Sequence, residues 1–534
     1  MKKVLSLVIA LALLLAVSAS ALTVSAPGEF PIVDEPYSLN IWVARSANIE
    51  DYDTNETTLW YEQKTGVHIN WTQVGDADAG TQKTLSLASG NYPDIYSTGF
   101  GTDEILQYGI NDGILIPLED LIAEYAPNIQ NVLDTRPDIV NAITAPDGHI
   151  YCLYRTDPAT YTLVRNKLYV NHDWLYKYME DTGSEAPVTT DEFEEMLIYW
   201  RDNDMNGNGD PNDEIPMIGT LGSSGGDFTV YLLNAFVSMP ESHYLMATED
   251  QEVYCVANND EYREGLKWIR HLYEEGLIAE ETFIQDNSQL QSLANNNDPT
   301  QRTVGAFGGF WSGVSVNPSG MDNAYDVYDP LAPLEGPEGV RQCTTSGILD
   351  LFLVGGITKA CEHPEIAIKW LDFWSSNEGM VMIDYGFENV NWEWNDTPAI
   401  NGSVPSRFFL TNRNVLQNTT WYVGSVPYYR TEESLFGRTP TDHVPYLYEG
   451  AKCYEDFYTI TNFPNIAWCN DVELLTEYNG LKILFDDYFL QSKVQFITGA
   501  KDINSDDDWN SYLATLDSMN LDRYMEVTGL VNFG

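Results

Sequence analysis

The sequence predicts an α/β protein with at least two lobes. The chain has 534 residues, which exceeds what one hydrophobic core usually serves, and 43% of them are hydrophobic, which is ample for packing. Near the N-terminus, residues 38–43 alternate as a strand does, and residues 57–65 suit a helix that ends at Gly66. Residues 67–74 again read as a strand. This strand-helix-strand unit is the start of an α/β lobe.

The first 21 residues have the pattern of a secretory signal peptide. Lys2 and Lys3 precede an apolar run at residues 4–17, and Ala19-Ser20-Ala21 offers the small-x-small sequence of a signal peptidase site. We expect cleavage after Ala21. The run is too short for a comfortable membrane span, and no later stretch of about 20 apolar residues occurs. The sequence therefore predicts an exported, soluble protein.

Charge excludes two classes of partner. The chain carries 27 Lys and Arg against 80 Asp and Glu, a formal net charge of −53. Nucleic acid and anionic lipid both require a basic surface, which this composition does not supply. The acidic residues are spread along the chain, which favours a solvated surface over a dedicated polyanionic patch.

Cysteine and histidine spacing excludes the common metal and redox motifs. The chain has six Cys without any C-x-x-C, and its seven His never form H-x-x-x-H. A zinc site, a redox motif and the commonest metalloprotease signature are therefore not predicted. In an exported protein disulfides can form, and Cys453 with Cys469 is the first pair to test.

The third predicted strand ends at a corner suited to ligand binding. A short helix is broken at Gly90, and residues 92–96 then lead to the small-residue corner Ser97-Thr98-Gly99. In open α/β sheets, ligands bind at such strand ends. Tyr96, just before the corner, and Trp42, at the end of the first strand, are therefore predicted to contact a ligand.

Residues 204–214 resemble the first half of an EF-hand calcium loop. Side-chain oxygens recur at Asp204, Asn206 and Asn208, and Gly209 follows where such a loop turns sharply. Ile215 replaces the usual bidentate Glu, so the loop is a variant. The predicted ligands are the side chains of Asp204, Asn206 and Asn208, the backbone carbonyl of Asp210, and Asp213 or Glu214. The alternative is a turn rich in Asn, Gly and Asp that binds no metal.

The setting of this loop favours a single structural Ca²⁺. Thr189 and Glu192 form a capping box, and an apolar stripe at i, i+3, i+4 and i+7 follows from Phe193 to Trp200, so a helix precedes the loop. Residues 215–218 look extended. A helix-loop-strand arrangement differs from the paired helices of a calcium sensor.

Several segments, in order along the chain, resemble one protein family. They are residues 85–95, 114–122, 147–151, 204–216, 496–499 and 508–512. Together they are similar to the extracellular (family 1) solute-binding proteins of ABC sugar importers, in the branch related to maltose- and alginate-binding proteins. The resemblance spans nearly the full mature chain.

The resemblance implies a periplasmic-binding-protein-like fold, in which two α/β lobes close on a sugar by hinge motion. It places the chain crossings near Pro158 and Thr344. The N-terminal lobe would contain residues 27–158 and 344–390, and the C-terminal lobe residues 159–343 and 391–534 with the calcium loop. The chain would be a monomer that delivers an oligosaccharide or other sugar to an ABC permease. Many Gram-positive relatives carry a lipid-modified Cys after the signal peptide, but the first Cys here is Cys152, so a lipid anchor is not supported.

Sugar recognition requires aromatic faces and hydrogen-bonding groups. Glycines flank Phe310 and Trp311, and a comparable strand-end Trp lines the cleft in maltose-binding relatives, so Trp311 is the first candidate to contact the sugar, with Phe310 beside it. Trp392 and Trp394 alternate on a predicted strand and would face the same side, where they could form a stacking platform. For all of these rings, the alternative is a place in a hydrophobic core.

Two polar residues near the first crossing, Arg155 and Asp157, complete the predicted binding set. They could hydrogen-bond sugar hydroxyls or simply pair with each other.

An enzymatic alternative rests on one string. Gly222-Ser223-Ser224-Gly225-Gly226 matches G-x-S-x-G, and His271 or His363 lies downstream. No strong parallel strand leads into Ser224, and short Gly/Ser strings arise by chance. We therefore predict a binding protein without catalytic residues, with a glycoside hydrolase or a secreted glycan-binding lectin as alternatives.

Overall fold

The computed structural model describes residues 22–157, 163–221, 225–241, 244–296, 298–310, 312, 327–345, 350–396, 398, 404–411, 416–421, 426–430, 450–464 and 466–534. The predicted signal peptide lies outside these ranges. Within them, no helix is both long and apolar enough to cross a membrane.

Strands and helices alternate along most of the chain, which confirms the predicted α/β class. The strands are β1 (Tyr37–Arg45), β2 (Val67–Gly75), β3 (Ile95–Gly99), β4 (Leu153–Asp157), β5 (Lys167–Asn171), β6 (Ile215–Ile218), β7 (Leu245–Ala247), β8 (Val253–Cys255), β9 (Val304–Gly309), β10 (Tyr328–Leu331), β11 (Cys343–Thr345), β12 (Asp350–Ile357), β13 (Trp392–Asn395), β14 (Ser406–Phe409), β15 (Tyr428–Tyr429) and β16 (Tyr458–Ile460). The α-helices are α1 (Glu56–Thr65), α2 (Asp76–Ser89), α3 (Thr102–Ile105), α4 (Glu119–Tyr125), α5 (Pro127–Thr135), α6 (Pro137–Ile143), α7 (His172–Thr182), α8 (Thr190–Asp202), α9 (Phe228–Leu233), α10 (Asp260–Glu274), α11 (Asn287–Ala294), α12 (Pro364–Asp372), α13 (Asn377–Asp384), α14 (Val472–Thr498), α15 (Asp506–Ser518) and α16 (Leu521–Phe533).

The predicted N-terminal unit forms as β1, α1 and β2. The two strands pair in parallel from Tyr37 opposite Val67 to Arg45 opposite Gly75. Helix α1 ends at Gly66, whose φ of 74° is in the left-handed region that glycine adopts without strain.

The first sheet has six strands in the order β15-β4-β12-β3-β1-β2. All of them except β12 run in one direction. The carboxyl ends of five strands and the start of β12 therefore meet at one edge, which we call the first sheet edge.

The core of the first sheet draws on distant parts of the chain. Trp370 and Trp374, from α12 and the turn after it, are fully buried in this core. Trp421, Val426 and Tyr428 join the same core, so the chain packs on the first sheet again after residue 390. The predicted lobe boundaries stay a prediction.

The second sheet has four strands in the order β10-β5-β9-β6. Strand β5 runs opposite to the other three, so the carboxyl ends of β6, β9 and β10 meet the start of β5 at a second sheet edge. Its core includes the predicted stripe of α8, from Phe193 to Trp200, and rings of α14, α15 and α16.

Cys453 and Cys469 lie in different surroundings. All six cysteines are free thiols. Cys453 packs beside the second core, whereas Cys469 packs with Val527 and Val531. This pair, the first to test, is therefore not joined by a disulfide in the structure.

Candidate ligand-binding cleft and calcium loop

A buried lysine from α2 fixes the turn that follows β3. The Lys83 Nζ donates hydrogen bonds to the Gly99 carbonyl and to the Glu104 carboxylate, each at 2.6 Å. Glu104 in turn accepts the Gly101 backbone N–H at 2.9 Å. The Lys83 ammonium also lies 4.6 Å from the centroid of the Phe100 ring. These contacts hold Phe100 and the start of α3 at the first sheet edge.

This turn forms one wall of a cavity of about 920 Å³. The opposite wall comes from the C-terminal segment, including the start of α14 and the end of α16. The lining contains the rings of Phe100, Phe352 and Tyr478 beside polar groups such as Asp103, Gln107, Asn111, Asp147 and Asn479. A concave site of this size, with a few polar groups among apolar ones, suits a small organic ligand.

Phe352 is the most exposed ring in the cavity wall and was not predicted from the sequence. It lies on β12 and is 43% exposed. Arg155 lies opposite it on β4, with the guanidinium carbon 4.9 Å from the ring centroid. Residues 350–357 form an almost continuous apolar run. Such a run does not indicate which of its side chains stays exposed. Arg155 therefore lies beside the cavity as the partner of Phe352, while the side chain of Asp157 is outside the described part of the chain.

Trp42 and Tyr96 lie beneath the cavity wall. Both are buried, with ring centroids 5.9 Å apart, and the Tyr96 ring contacts Phe100 edge-on at 6.0 Å. Burial raises the pKa of Tyr96, whose hydroxyl lies 2.8 Å from the Ser86 hydroxyl. In this structure they support Phe100 from the core side, and direct contact with a ligand stays a prediction for both.

Phe310 lies at the second sheet edge and is flanked by two cations. Its ring centroid is 5.0 Å from the Lys167 Nζ and 5.6 Å from the Arg165 guanidinium. Its carbonyl accepts a hydrogen bond from Lys167 at 3.0 Å. Burial lowers the pKa of Lys167 to about 7. Phe310 is not part of the cavity wall, and Trp311 lies outside the described residues.

Trp392 and Trp394 touch each other on the β13–β14 hairpin but do not form one flat surface. Their ring centroids are 5.1 Å apart and the ring planes are at 87°. Trp392 is buried and its indole N–H donates to the Gly386 carbonyl at 2.9 Å, whereas Trp394 is 47% exposed. Trp394 alone presents a ring to solvent, and the binding role of both residues stays a prediction.

The predicted calcium loop connects α8 to β6 and is closed by its own hydrogen bonds. The Asp204 carboxylate accepts the backbone N–H groups of residues 207, 208 and 209 at 2.7–3.2 Å. Asp213 accepts the side-chain amides of Asn206 and Asn208 at 3.3 and 2.7 Å. The Asp210 carboxylate instead accepts from the Asn212 side-chain amide at 2.9 Å, within its own turn.

The surroundings of the Glu214 carboxylate indicate that this loop suits a cation. Its Oε1 accepts the Met205 N–H at 2.8 Å, but its Oε2 is buried without a hydrogen-bond partner. Burial raises the pKa of Glu214. A buried oxygen without a partner is costly in the charged state and is the group that a cation would satisfy.

The donor set of the loop fits a hard divalent cation. It combines carboxylates with amide and backbone oxygens, which are the ligands that Ca²⁺ prefers. The described residues contain no group of three or more His, Cys, Asp and Glu side chains gathered around one point. A cation here would therefore depend on Asn206, Asn208 and a backbone carbonyl as much as on carboxylates.

For the hydrolase alternative, the structure describes the two candidate histidines but not the serine. Residues 222–224 lie outside the described ranges. His271 is hydrogen-bonded to Glu194 at 2.8 Å, and His363 to Glu365 at 2.8 Å. His271 belongs to α10 of the second core, while His363 precedes α12 of the first.

Sequence comparison identifies relatives over almost the whole chain. Residues 46–381 match the family described as bacterial extracellular solute-binding protein. The fructooligosaccharide ABC transporter substrate-binding protein FusA of Streptococcus pneumoniae serotype 4 (strain ATCC BAA-334 / TIGR4) is 28% identical over 520 residues, which covers 93% of this chain and 90% of that protein.

Solved structures have the same fold. FusA of S. pneumoniae in complex with kestose superimposes with a TM-score of 0.73 at 26% identity, covering 92% of this chain and 98% of that one. An EF-hand mutant of FusA in complex with fructo-nystose gives a TM-score of 0.72 at 24% identity, with the same coverage. The latter indicates that a relative of this fold carries an EF-hand.

Proposed function

Because the chain belongs to the family of bacterial extracellular solute-binding proteins, we propose that it is an exported, non-catalytic protein that captures an oligosaccharide for an ABC transporter. The observation that carries this proposal is the cavity of about 920 Å³, in which exposed Phe352 lies among carboxylate and amide side chains. Rings cover the apolar faces of pyranose or furanose units, and the polar groups accept or donate hydrogen bonds to hydroxyls. The kestose complex of FusA supports a saccharide of a few units.

Capture would work by closure of two lobes. The cavity has walls from the first core and from the C-terminal segment, so a ligand that touches both walls stabilises the closed arrangement over the open one. The lobes would follow the predicted boundaries, with Trp421 and Tyr428 added to the first lobe because they pack in its core. The closed, loaded form would dock on the permease subunits as a monomer.

We also propose that the loop between α8 and β6 binds a structural Ca²⁺. It would be held by Asp204, Asn206 and Asn208 through side chains, by Asp210 through its carbonyl, and by Asp213 or Glu214. The partnerless Glu214 oxygen supports this assignment, as does the EF-hand of FusA. The ion would tie the end of α8 to the start of β6 and take no part in ligand chemistry.

A thermal-shift screen of short oligosaccharides on the mature protein tests this function. A ligand at a hundredfold excess over its Kd stabilises the fold by about 2.7 kcal/mol, so a captured sugar raises Tm clearly. Calorimetry should then give saturable binding, and the sugar should be recovered unchanged. Steady release of reducing ends would favour a glycosidase, and tight binding to insoluble polymer without lobe closure would favour a lectin.

A further inference from the structure

The β13–β14 hairpin lies beside the first sheet edge. Tyr385, at its base, follows Asp384, whose carboxylate accepts a hydrogen bond from Arg430 at 3.0 Å. The backbone N–H of Arg430 donates to the Thr156 carbonyl near the end of β4, at 3.2 Å. The hairpin is thereby held next to the carboxyl ends of β4 and β15.

The segment that follows the hairpin is held at the same edge. The backbone of Gln417 exchanges hydrogen bonds with Asn48 and Glu50, in the loop after β1, at 2.9 and 3.0 Å. The side chain of Asn391, just before β13, donates to the Thr419 hydroxyl at 3.1 Å. Both ends of the hairpin are therefore fixed along the edge where ligands bind in open α/β sheets.

Arg407 is the central side chain of this hairpin. It lies opposite Trp394 in the strand pairing. Its guanidinium carbon is 5.1 Å from the ring centroids of Tyr385 and Trp394 and 5.5 Å from that of Trp392. Three rings fix the orientation of the guanidinium by cation–π contact.

The Arg407 guanidinium has no hydrogen-bond or ion-pair partner within the described ranges, and its Nε is buried without one. This is unexpected in a chain with 80 carboxylates and only 27 basic side chains, because a guanidinium readily forms bidentate pairs with carboxylates. Nearby Arg430, by contrast, pairs with Asp384. Arg407 is thus a fixed, unneutralised cation beside the exposed Trp394 ring.

We propose that Arg407 and Trp394 form a subsite for a saccharide unit that carries a carboxylate, with the carboxylate on the guanidinium and the sugar ring on the indole. The net charge disfavours long polyanions, whereas a saccharide of a few units carries few charges, and salt screens distant charges over about 8 Å while a direct ion pair persists. The inference rests on the proposed function and narrows it to saccharides that contain a uronic acid unit.

Binding of two matched trisaccharides tests the subsite. The probes are trigalacturonic acid and its methyl ester, which keeps the same rings but removes the charge. The wild-type protein should bind the acid at least about tenfold more tightly than the ester in calorimetry, as expected for a charge-assisted hydrogen bond. In Arg407→Gln the ratio of the two affinities should fall to near one, and Arg407→Lys should restore part of it. Trp394→Ala should weaken both probes.

The control is another arginine that stacks on a ring. Arg341 has its guanidinium carbon 4.4 Å from the ring centroid of Phe457, which packs against the second core. Arg341→Gln should retain the wild-type ratio. Equal wild-type affinities for acid and ester, or failure of trigalacturonic acid to bind while neutral oligosaccharides do, would overturn the subsite and leave the proposed function standing. If no saccharide, neutral or acidic, raised Tm, the proposed function itself would fail.

Discussion

At the residue scale, Phe352 shows how one exposed ring arises within an apolar strand. Its neighbours Leu351 and Leu353 are buried, while the Phe352 side chain points to the other face and is covered only in part by Arg155. Because the ring is already half exposed, its remaining burial adds little to the free energy of folding. Its free face is open to a ligand. The ring therefore contributes little to folding stability and is available to the ligand that we propose.

Replacing Phe352 with alanine should weaken oligosaccharide binding by about tenfold, which is the usual loss when a central aromatic contact is truncated. Stability should fall by less than about 1 kcal/mol, because mainly one cation–π contact is lost. Calorimetry and thermal denaturation measure the two effects separately. Tyr176, a 59%-exposed ring on α7 away from the cavity, gives the matched control Tyr176→Ala. Unchanged affinity in Phe352→Ala would remove the ring from the binding site.

Asp372 provides a pH test of a single buried carboxylate. Burial raises its pKa to about 6, although the Ile129 N–H and the Asn128 amide donate to it at 2.9 and 2.7 Å. Between about pH 4 and pH 6 the folded chain binds more protons here than the unfolded chain does, so this group makes stability fall as pH rises. Above about pH 6 this carboxyl is deprotonated in both the folded and the unfolded chain, so it no longer makes stability depend on pH.

Asp372→Asn removes that titration. From pH 5 to pH 7.5, the unfolding free energy of the variant relative to wild type should increase by about 1 kcal/mol, as measured by urea denaturation. Asp138→Asn is the control, because Arg136 lowers the pKa of Asp138 below its usual value and no change is expected in this window. A constant difference for Asp372→Asn would mean that this carboxyl is not perturbed.

Some side-chain contacts could be predicted from the sequence and others could not. The capping pair Thr189 and Glu192 was predictable because both partners lie within one helical turn. Arg407 was not, since one of its ring partners directly follows α13 and the other two lie on β13, more than ten residues away. Trp42 and Tyr96 do lie on the first and third strands, but the predicted positions at the strand ends were wrong, because β1 continues to Arg45 and β3 runs from Ile95 to Gly99. Strand position alone also does not determine which face is buried.

At the element scale, the loop between α8 and β6 is held in shape by hydrogen bonds among its own residues. The helix-loop-strand setting was predictable because the polar residues of the loop recur at short, fixed spacing, while the ligand set stays a prediction. Gly207 and Gly209 adopt positive φ values of 73° and 92°, which allow the backbone N–H groups to turn toward Asp204. The loop is therefore pre-shaped even without an ion.

Chelation of Ca²⁺ should lower Tm by roughly 5 °C or more, since an ion present well above its Kd contributes a few kcal/mol. In Glu214→Gln the chelator should have a much smaller effect, whereas Glu185→Gln, a substitution outside the loop, should respond like wild type. Intrinsic sugar affinity should change little in each case. If chelation abolished sugar binding while circular dichroism showed an intact fold, the structural role of the ion would be wrong.

At the scale of the whole molecule, the cavity has walls from the first core and from the C-terminal segment. The sequence predicted the α/β class and the family, because strand and helix periodicity and several ordered motifs are local patterns that can be recognised along the chain. The cavity itself was not predictable, since its walls combine residues near 100, near 350 and beyond 466. Such long-range assembly is set by tertiary packing and leaves no local pattern.

Small-angle X-ray scattering of the mature protein, with and without a saturating oligosaccharide from the thermal-shift screen, tests the central claim most directly. If the chain captures its ligand by lobe closure, the radius of gyration falls on addition of the sugar, and Phe352→Ala requires more sugar for the same change. An unchanged radius of gyration at a sugar concentration that calorimetry shows to be saturating would contradict capture by closure.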